Sequence, residues 1–320
     1  MSRRSLLLIL RLGVSVVALA VLLPRVAHSW SHVVRWRPTT VGWLVAGTAV
    51  TFVGVVLSAV RWQRVLAAFE LPARLRALLG HYLAGLFVGN ALPTSIGGDV
   101  LRVVRLSAEN DDRPSTFASV VLERMTGWIV LPVIALFGLS VNPGLRHLGT
   151  ATRVAVGFSV GTLGLLVLVV VAAGSPQLGG RLAHRESWLR FVGAVHVGLE
   201  RFRRRPATAA AAILAGFAYQ LVVVLSVYFA SRALGIAAGI TALLAFVPVV
   251  AIIQVLPISI GGLGVRESAF ALFLHPLGVS TAQAVTLGLL MGGMTLVVSL
   301  LGAPAFAVGT RSARPARVVA

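Results

Sequence analysis

Two arginines, Arg102 and Arg266, hold the same place in a motif that occurs once in each half of the chain. Aligned without gaps, Asn90, Leu92-Pro93, Ser95-Ile96-Gly97-Gly98 and Arg102 coincide with Gln254, Leu256-Pro257, Ser259-Ile260-Gly261-Gly262 and Arg266. Proline removes a backbone donor and disfavours helix at the residue before it, so helices are expected to end at Leu92 and Leu256. The glycine pairs let a ligand approach the main chain. A helix starting after each pair would aim free N–H groups and a positive dipole end at that ligand. Arg102, Arg105 and Arg266 add full charge there, and the combination suits a phosphate or another anionic head group. A packing alternative assigns the glycines to close helix contact and lets the arginines snorkel to an interface.

Carboxylates extend the pattern. The chain has nine acidic residues, and Asp99, Glu123 and Glu267 lie beside or within apolar stretches. Glu123-Arg124 interrupts one such stretch, where Thr116, Ser119, Glu123 and Thr126 share a helical face. That face is expected to point inward, since an ionised side chain at mid-membrane costs about 2.5–3.5 kcal/mol even on the mildest scale. The candidate substrate-binding set is Asn90, Ser95, Gly97, Gly98, Asp99, Arg102, Arg105, Glu123, Arg124, Gln254, Ser259, Gly261, Gly262, Arg266 and Glu267. No residue in it is assigned a catalytic role. The seven histidines have no metal-ligand spacing, and HExxH, GxSxG and P-loop strings are absent. No cofactor and no metal are therefore expected.

The elements that must position these residues are membrane helices. Hydrophobic side chains make up 58% of the chain and charged ones 12%, against about 25% charged in soluble proteins. The mean hydropathy is +0.94. Six stretches are long and apolar enough to cross the roughly 30 Å hydrocarbon layer: Ser5–Leu23, Val41–Val60, Ser115–Leu139, Arg153–Ala173, Ala207–Ala230 and Thr281–Val308. The net charge of +19 comes from arginines placed between and beside these spans, which points to lipid head groups rather than nucleic acid. With no cysteine in the chain, a disulfide framework is excluded.

The positive-inside rule puts Arg3-Arg4, Arg61, Arg64, Arg74 and Arg76, the Arg181–Arg205 segment and the C-terminal arginines in the cytoplasm. That agrees with the apolar runs only if Ala77–Leu92 and Ile240–Leu256, which end at the two motifs, turn back instead of crossing. The fold expected is an all-α polytopic membrane protein with about six full transmembrane helices and two re-entrant or broken hairpins. These make eight apolar segments in an inverted internal repeat, with the motifs near the midplane. The chain 1–320 is taken as one transmembrane domain. Its repeat halves run from about 41 to 174 and from 207 to 309, joined by a basic cytoplasmic loop at 175–206.

Three strings, Asn90–Arg102, Val120–Arg124 and Leu256–Glu267, resemble in order and spacing the transmembrane, flippase-region family of lysylphosphatidylglycerol synthase (MprF-like and YbhN-like membrane proteins). The resemblance implies a multi-pass plasma-membrane protein with both termini cytoplasmic that moves a lipid between leaflets. The synthase domain of the bifunctional relatives is absent from this sequence, so aminoacyl transfer is not expected. The expected function is a flippase for an anionic or phosphate-bearing lipid (a phospholipid or polyprenyl phosphate), not an enzyme and not a nucleic-acid binder. The alternatives are a membrane-embedded transferase for lipid-linked sugars and a non-catalytic partner of an envelope-biosynthesis enzyme.

Overall fold

The computed structural model describes residues 36–91, 97–174, 189–256, 259 and 261–309. The predicted first span, Ser5–Leu23, and both motif prolines, Pro93 and Pro257, lie outside the described residues, as does Ser95 of the candidate set. Among the described residues the secondary structure is helical throughout, with no strand. The helices are α1 (Pro38–Ala68), α2 (Leu75–Ala91), α3 (Gly97–Asn110), α4 (Arg113–Val141), α5 (Thr150–Gly174) and α6 (Leu189–Arg204). They continue with α7 (Pro206–Ala233), α8 (Ile240–Val255), α9 (Val265–Leu274), α10 (Thr281–Leu300) and α11 (Gly302–Gly309). Five of them, α1, α4, α5, α7 and α10, are long and apolar enough to cross a membrane.

Local signals set the ends. Proline opens α1 and α7, where its fixed φ suits a first turn and its missing N–H costs nothing. Asp112 caps α4 by accepting from the Ser115 N–H at 2.9 Å. Ser280 and Gln283 form a reciprocal capping box at the start of α10, at 3.2 Å in each direction. The motif breaks fall where the prolines predict. α2 ends at Ala91 before one, and α8 ends at Val255 with Leu256 as its cap before the other. Each break is followed by a second short helix that packs back on the first, α3 on α2 and α9 on α8. Each motif copy is therefore the bend of a helical hairpin.

Two expected boundaries differ. The Thr281–Val308 run is interrupted: α10 stops at Leu300, and α11 starts anew at Gly302. Gly302 lies so close to α2 that a Cβ there would sit 2.1 Å from the Leu83 carbonyl oxygen, and Pro304 follows in the new first turn. Close backbone packing redirects the chain there, which hydrophobicity alone does not register. Residues 189–204 of the segment read as a basic loop form α6 instead. Its Phe191, Val192, Val195 and Leu199 fall on one side and Arg201, Arg203 and Arg204 close its last turn, a pattern that holds an amphipathic helix.

The described residues form two compact units. The first gathers those up to Gly54 with Met125–Val169 and Gly216–Thr295; the second gathers Val55–Arg124, Val170–Ala215 and those from Leu296 onward. Each unit thus draws on both halves of the chain, and each contains one motif hairpin. The core of the first centres on Phe246 and Phe273, stacked at 5.0 Å, with Leu243, Val249, Phe270 and Leu287 fully buried around them. The core of the second is built on Trp62, Leu66, Leu78, Val103, Leu106 and Val120.

Candidate functional site

In the second unit the first motif carries a buried charge cluster. Gly98 lies in the opening turn of α3 against α2, and a Cβ on it would come within 2.3 Å of the Gly85 carbonyl oxygen. Only glycine lets the hairpin close this tightly, and the closure brings Arg102 beneath α2. The Arg102 guanidinium sits 4.2 Å from the ring centroids of both Trp62 and Tyr82. Such aromatic faces stabilise a cation that has left water. Its Nη atoms approach Glu123 Oε2 at 3.3–3.4 Å and Asp99 Oδ1 at 3.3 Å, and its buried Nε has no hydrogen-bond partner among the described residues.

Glu123 is the most deeply buried member, at 1% exposure. Besides Arg102 it accepts from Arg61 Nε at 2.8 Å and from Arg61 Nη2, and Arg61 itself is 5% exposed. Toward the outside, the second Asp99 oxygen pairs with Arg124 Nε. The cluster is graded: the Arg61 and Glu123 side chains are 6% and 1% exposed, those of Asp99 and Arg124 19% and 44%. The three arginines outnumber the two carboxylates, so the cluster carries one excess positive charge. The polar face read from α4 is buried as expected, with Thr116, Ser119, Glu123 and Thr126 all at 2% or less. Ser119 Oγ accepts from Trp62 Nε1 at 3.1 Å and fixes the ring beneath Arg102.

In the first unit the second motif reaches a similar end by other means. Gly262 and Gly264 take φ of +75° and +80°, a left-handed backbone that L side chains rarely adopt. Gln254 packs flush on Gly262, where a Cβ would meet its Cγ at 2.2 Å. Arg266 is in the first turn of α9, buried at 6% exposure, and Glu267 beside it is fully buried. Arg266 donates from Nε and Nη2 to Glu267 Oε1 at 3.0 and 2.7 Å. The other carboxylate oxygen accepts from the Gly264 N–H at 2.6 Å and completes the cap of α9. α10 leaves room for the pair by presenting glycine: a Cβ on Gly292 would lie 2.5 Å from Arg266 Nη2, and one on Gly288 3.1 Å from Glu267 Cγ. An open apolar groove of about 380 Å³ runs through the same unit, lined by Trp128, Gly157, Phe158, Gly161, Ile252 and Leu256 among others.

The remaining candidates are placed as follows. Gly97 opens α3 beside Gly98, and Asn90 is exposed in the last turn of α2. Gly261 is exposed in the bend before α9, and the buried Ser259 Oγ has no hydrogen-bond partner among the described residues. Arg105 points away from the cluster and donates to the Ala305 and Phe306 carbonyls at 2.9 Å each, where it ties α3 to α11. Arg61, Trp62, Gly288 and Gly292 are site residues the motif reading missed. The positive-inside rule reads Arg61 as a cytoplasmic charge, although its helical spacing from Ser58 and Val65 marks an inward face. Gly288 and Gly292, four apart in an apolar helix, carry the usual signal of close packing.

Apolar helices of spanning length, two hairpins broken at repeated prolines and buried arginine–carboxylate pairs at each bend define a multi-pass α-helical membrane protein. The family model described as the lysylphosphatidylglycerol synthase TM region matches residues 8–302. The chain belongs to that family. No curated protein and no solved structure matches it.

Proposed function

We propose that this protein moves an anionic, phosphate-bearing lipid between the leaflets of the plasma membrane, without covalent chemistry and without a cofactor. The observation that carries this reading is Arg102, a buried guanidinium clasped between two aromatic rings in the second helix of a broken-helix hairpin, in a cluster with excess positive charge. Dragging a phosphate through hydrocarbon is costly because it loses its water. Guanidinium groups and helix N-termini held in place supply replacement hydrogen bonds and charge. The arginine repeated at the second bend, Arg266, offers the same chemistry in the other unit. Membership in the transmembrane family of a lipid-modifying synthase favours a lipid as the cargo.

The deciding experiment is reconstitution of the full chain in liposomes carrying labelled phosphatidylglycerol or a polyprenyl phosphate. Lipid exchange between leaflets faster than in protein-free vesicles, and lost in Arg102→Ala and Arg266→Ala variants that stay monodisperse, is the expected result. Exchange no faster than in empty vesicles for either lipid overturns the reading. A covalently altered lipid product would indicate a transferase instead.

A further inference from the structure

The Asp99 carboxylate in the second unit has a position unlike that of Glu123, the other acid of the cluster. It bridges Arg102 Nη1 at 3.3 Å and Arg124 Nε, at the only partly exposed end of the cluster, while Glu123 with Arg61 seals the inner end. It also lies in the first turn of α3, where backbone N–H groups lack helical acceptors and favour an anion. Its place in the second motif copy is taken by Leu263, so the repeat itself does not require an acid there. Arg102, 3% exposed, keeps an Nε with no partner among the described residues, so Asp99 and Glu123 do not use up its hydrogen-bonding capacity.

We propose, building on the lipid-transport reading, that Asp99 is a displaceable internal counter-ion. It occupies the seat formed by Arg102, Arg124 and the start of α3, and a phosphate group takes that seat when it binds. Glu123 stays in place throughout as the shared partner of Arg61 and Arg102. Such a carboxylate prevents permanent trapping of an anion, because the ligand must compete with it and is expelled when it returns.

Removing the charge of Asp99 while keeping its shape removes the competitor. The Asp99→Asn chain is therefore expected to hold phosphatidylglycerol about tenfold more tightly than the wild type, the scale of one partly screened charge at contact distance. Arg124→Gln is expected to weaken binding, and the phosphate-free diacylglycerol should bind alike to all three proteins. Native mass spectrometry of the purified full chain titrated with each lipid reads these affinities. Calorimetry with inorganic phosphate distinguishes a general phosphate seat, tightened by Asp99→Asn, from one that needs the lipid's tails, which shows no heat but retains the lipid effect. Equal or weaker phosphatidylglycerol binding by Asp99→Asn overturns the proposal. So does aggregation of both Asp99→Asn and Asp99→Ser, since Asp99 would then be a structural cap. Tighter binding by Asp99→Asn without leaflet exchange by the wild type would retain the seat and discard transport. Exchange by the wild type with unchanged Asp99→Asn binding would do the reverse.

Discussion

Glu123 shows how one residue type can serve burial and function together. Two arginines bind it in a region nearly closed to water, so Glu123→Gln leaves both cations without their shared counter-ion. Breaking a buried pair in this way costs about 3–5 kcal/mol, and thermal unfolding of the detergent-purified variant should show a loss of that size. Arg266→Lys tests geometry at the other bend. Lysine keeps the charge but loses the planar two-point contact now made to Glu267, so leaflet exchange should fall at least about tenfold while the protein stays monodisperse. Arg105→Ala should behave in the opposite way. It deletes two hydrogen bonds from a charged donor to α11, a loss of about 1–3 kcal/mol of stability, with exchange per folded molecule unchanged.

At the level of elements, the hairpins are held by backbone contacts that tolerate no side chain. Gly98→Ala would drive a methyl into the Gly85 carbonyl at 2.3 Å, forcing α2 and α3 apart. Overpacking of this kind costs about 1–3 kcal/mol, and the displaced Arg102 should lose its ring contacts as well. Gly80, on the same α2, has open space at the corresponding point. Gly80→Ala should therefore be neutral or slightly stabilising, by up to about 1 kcal/mol. Paired melting curves of the two variants separate the packing requirement from general intolerance of helix substitution. The two glycine pairs were read alike from the motif, yet Gly98 serves close approach and Gly262 a left-handed turn.

For the whole molecule, the reading of the two motifs as an inverted repeat makes a topological prediction. Arg76 at the start of the first hairpin and His275 at the end of the second are both exposed, and the chain has no cysteine of its own. Single cysteines at these positions should react with a membrane-impermeant label from opposite sides of the membrane. Reaction of both from the same side, with the termini mapped to the cytoplasm, would end the inverted reading.

Much of this protein was legible in the amino-acid order, because a membrane constrains sequence strongly. Backbone groups in hydrocarbon must be satisfied within the helix, so long apolar runs declare spans, and prolines and glycines inside them declare breaks. That logic located α4, α5, α7 and both bends to within about three residues and fell eight short of the end of α1, and it singled out Arg102, Glu123, Arg266 and Glu267, which the structure buries. Sequence spacing does not say which charge meets which. Arg266 pairs with its immediate neighbour, whereas Arg102 draws on Glu123 from α4 and shares it with Arg61 from α1. The pairing of Arg61 spans 62 residues and exists only because α1 and α4 pack together in one unit. The split of the last apolar run at Leu301 likewise depends on the Leu83 carbonyl against Gly302. Local order therefore determined where charge had to be buried, and tertiary contact decided its partners, since a buried ion takes whichever counter-charge the packing of distant helices brings within reach.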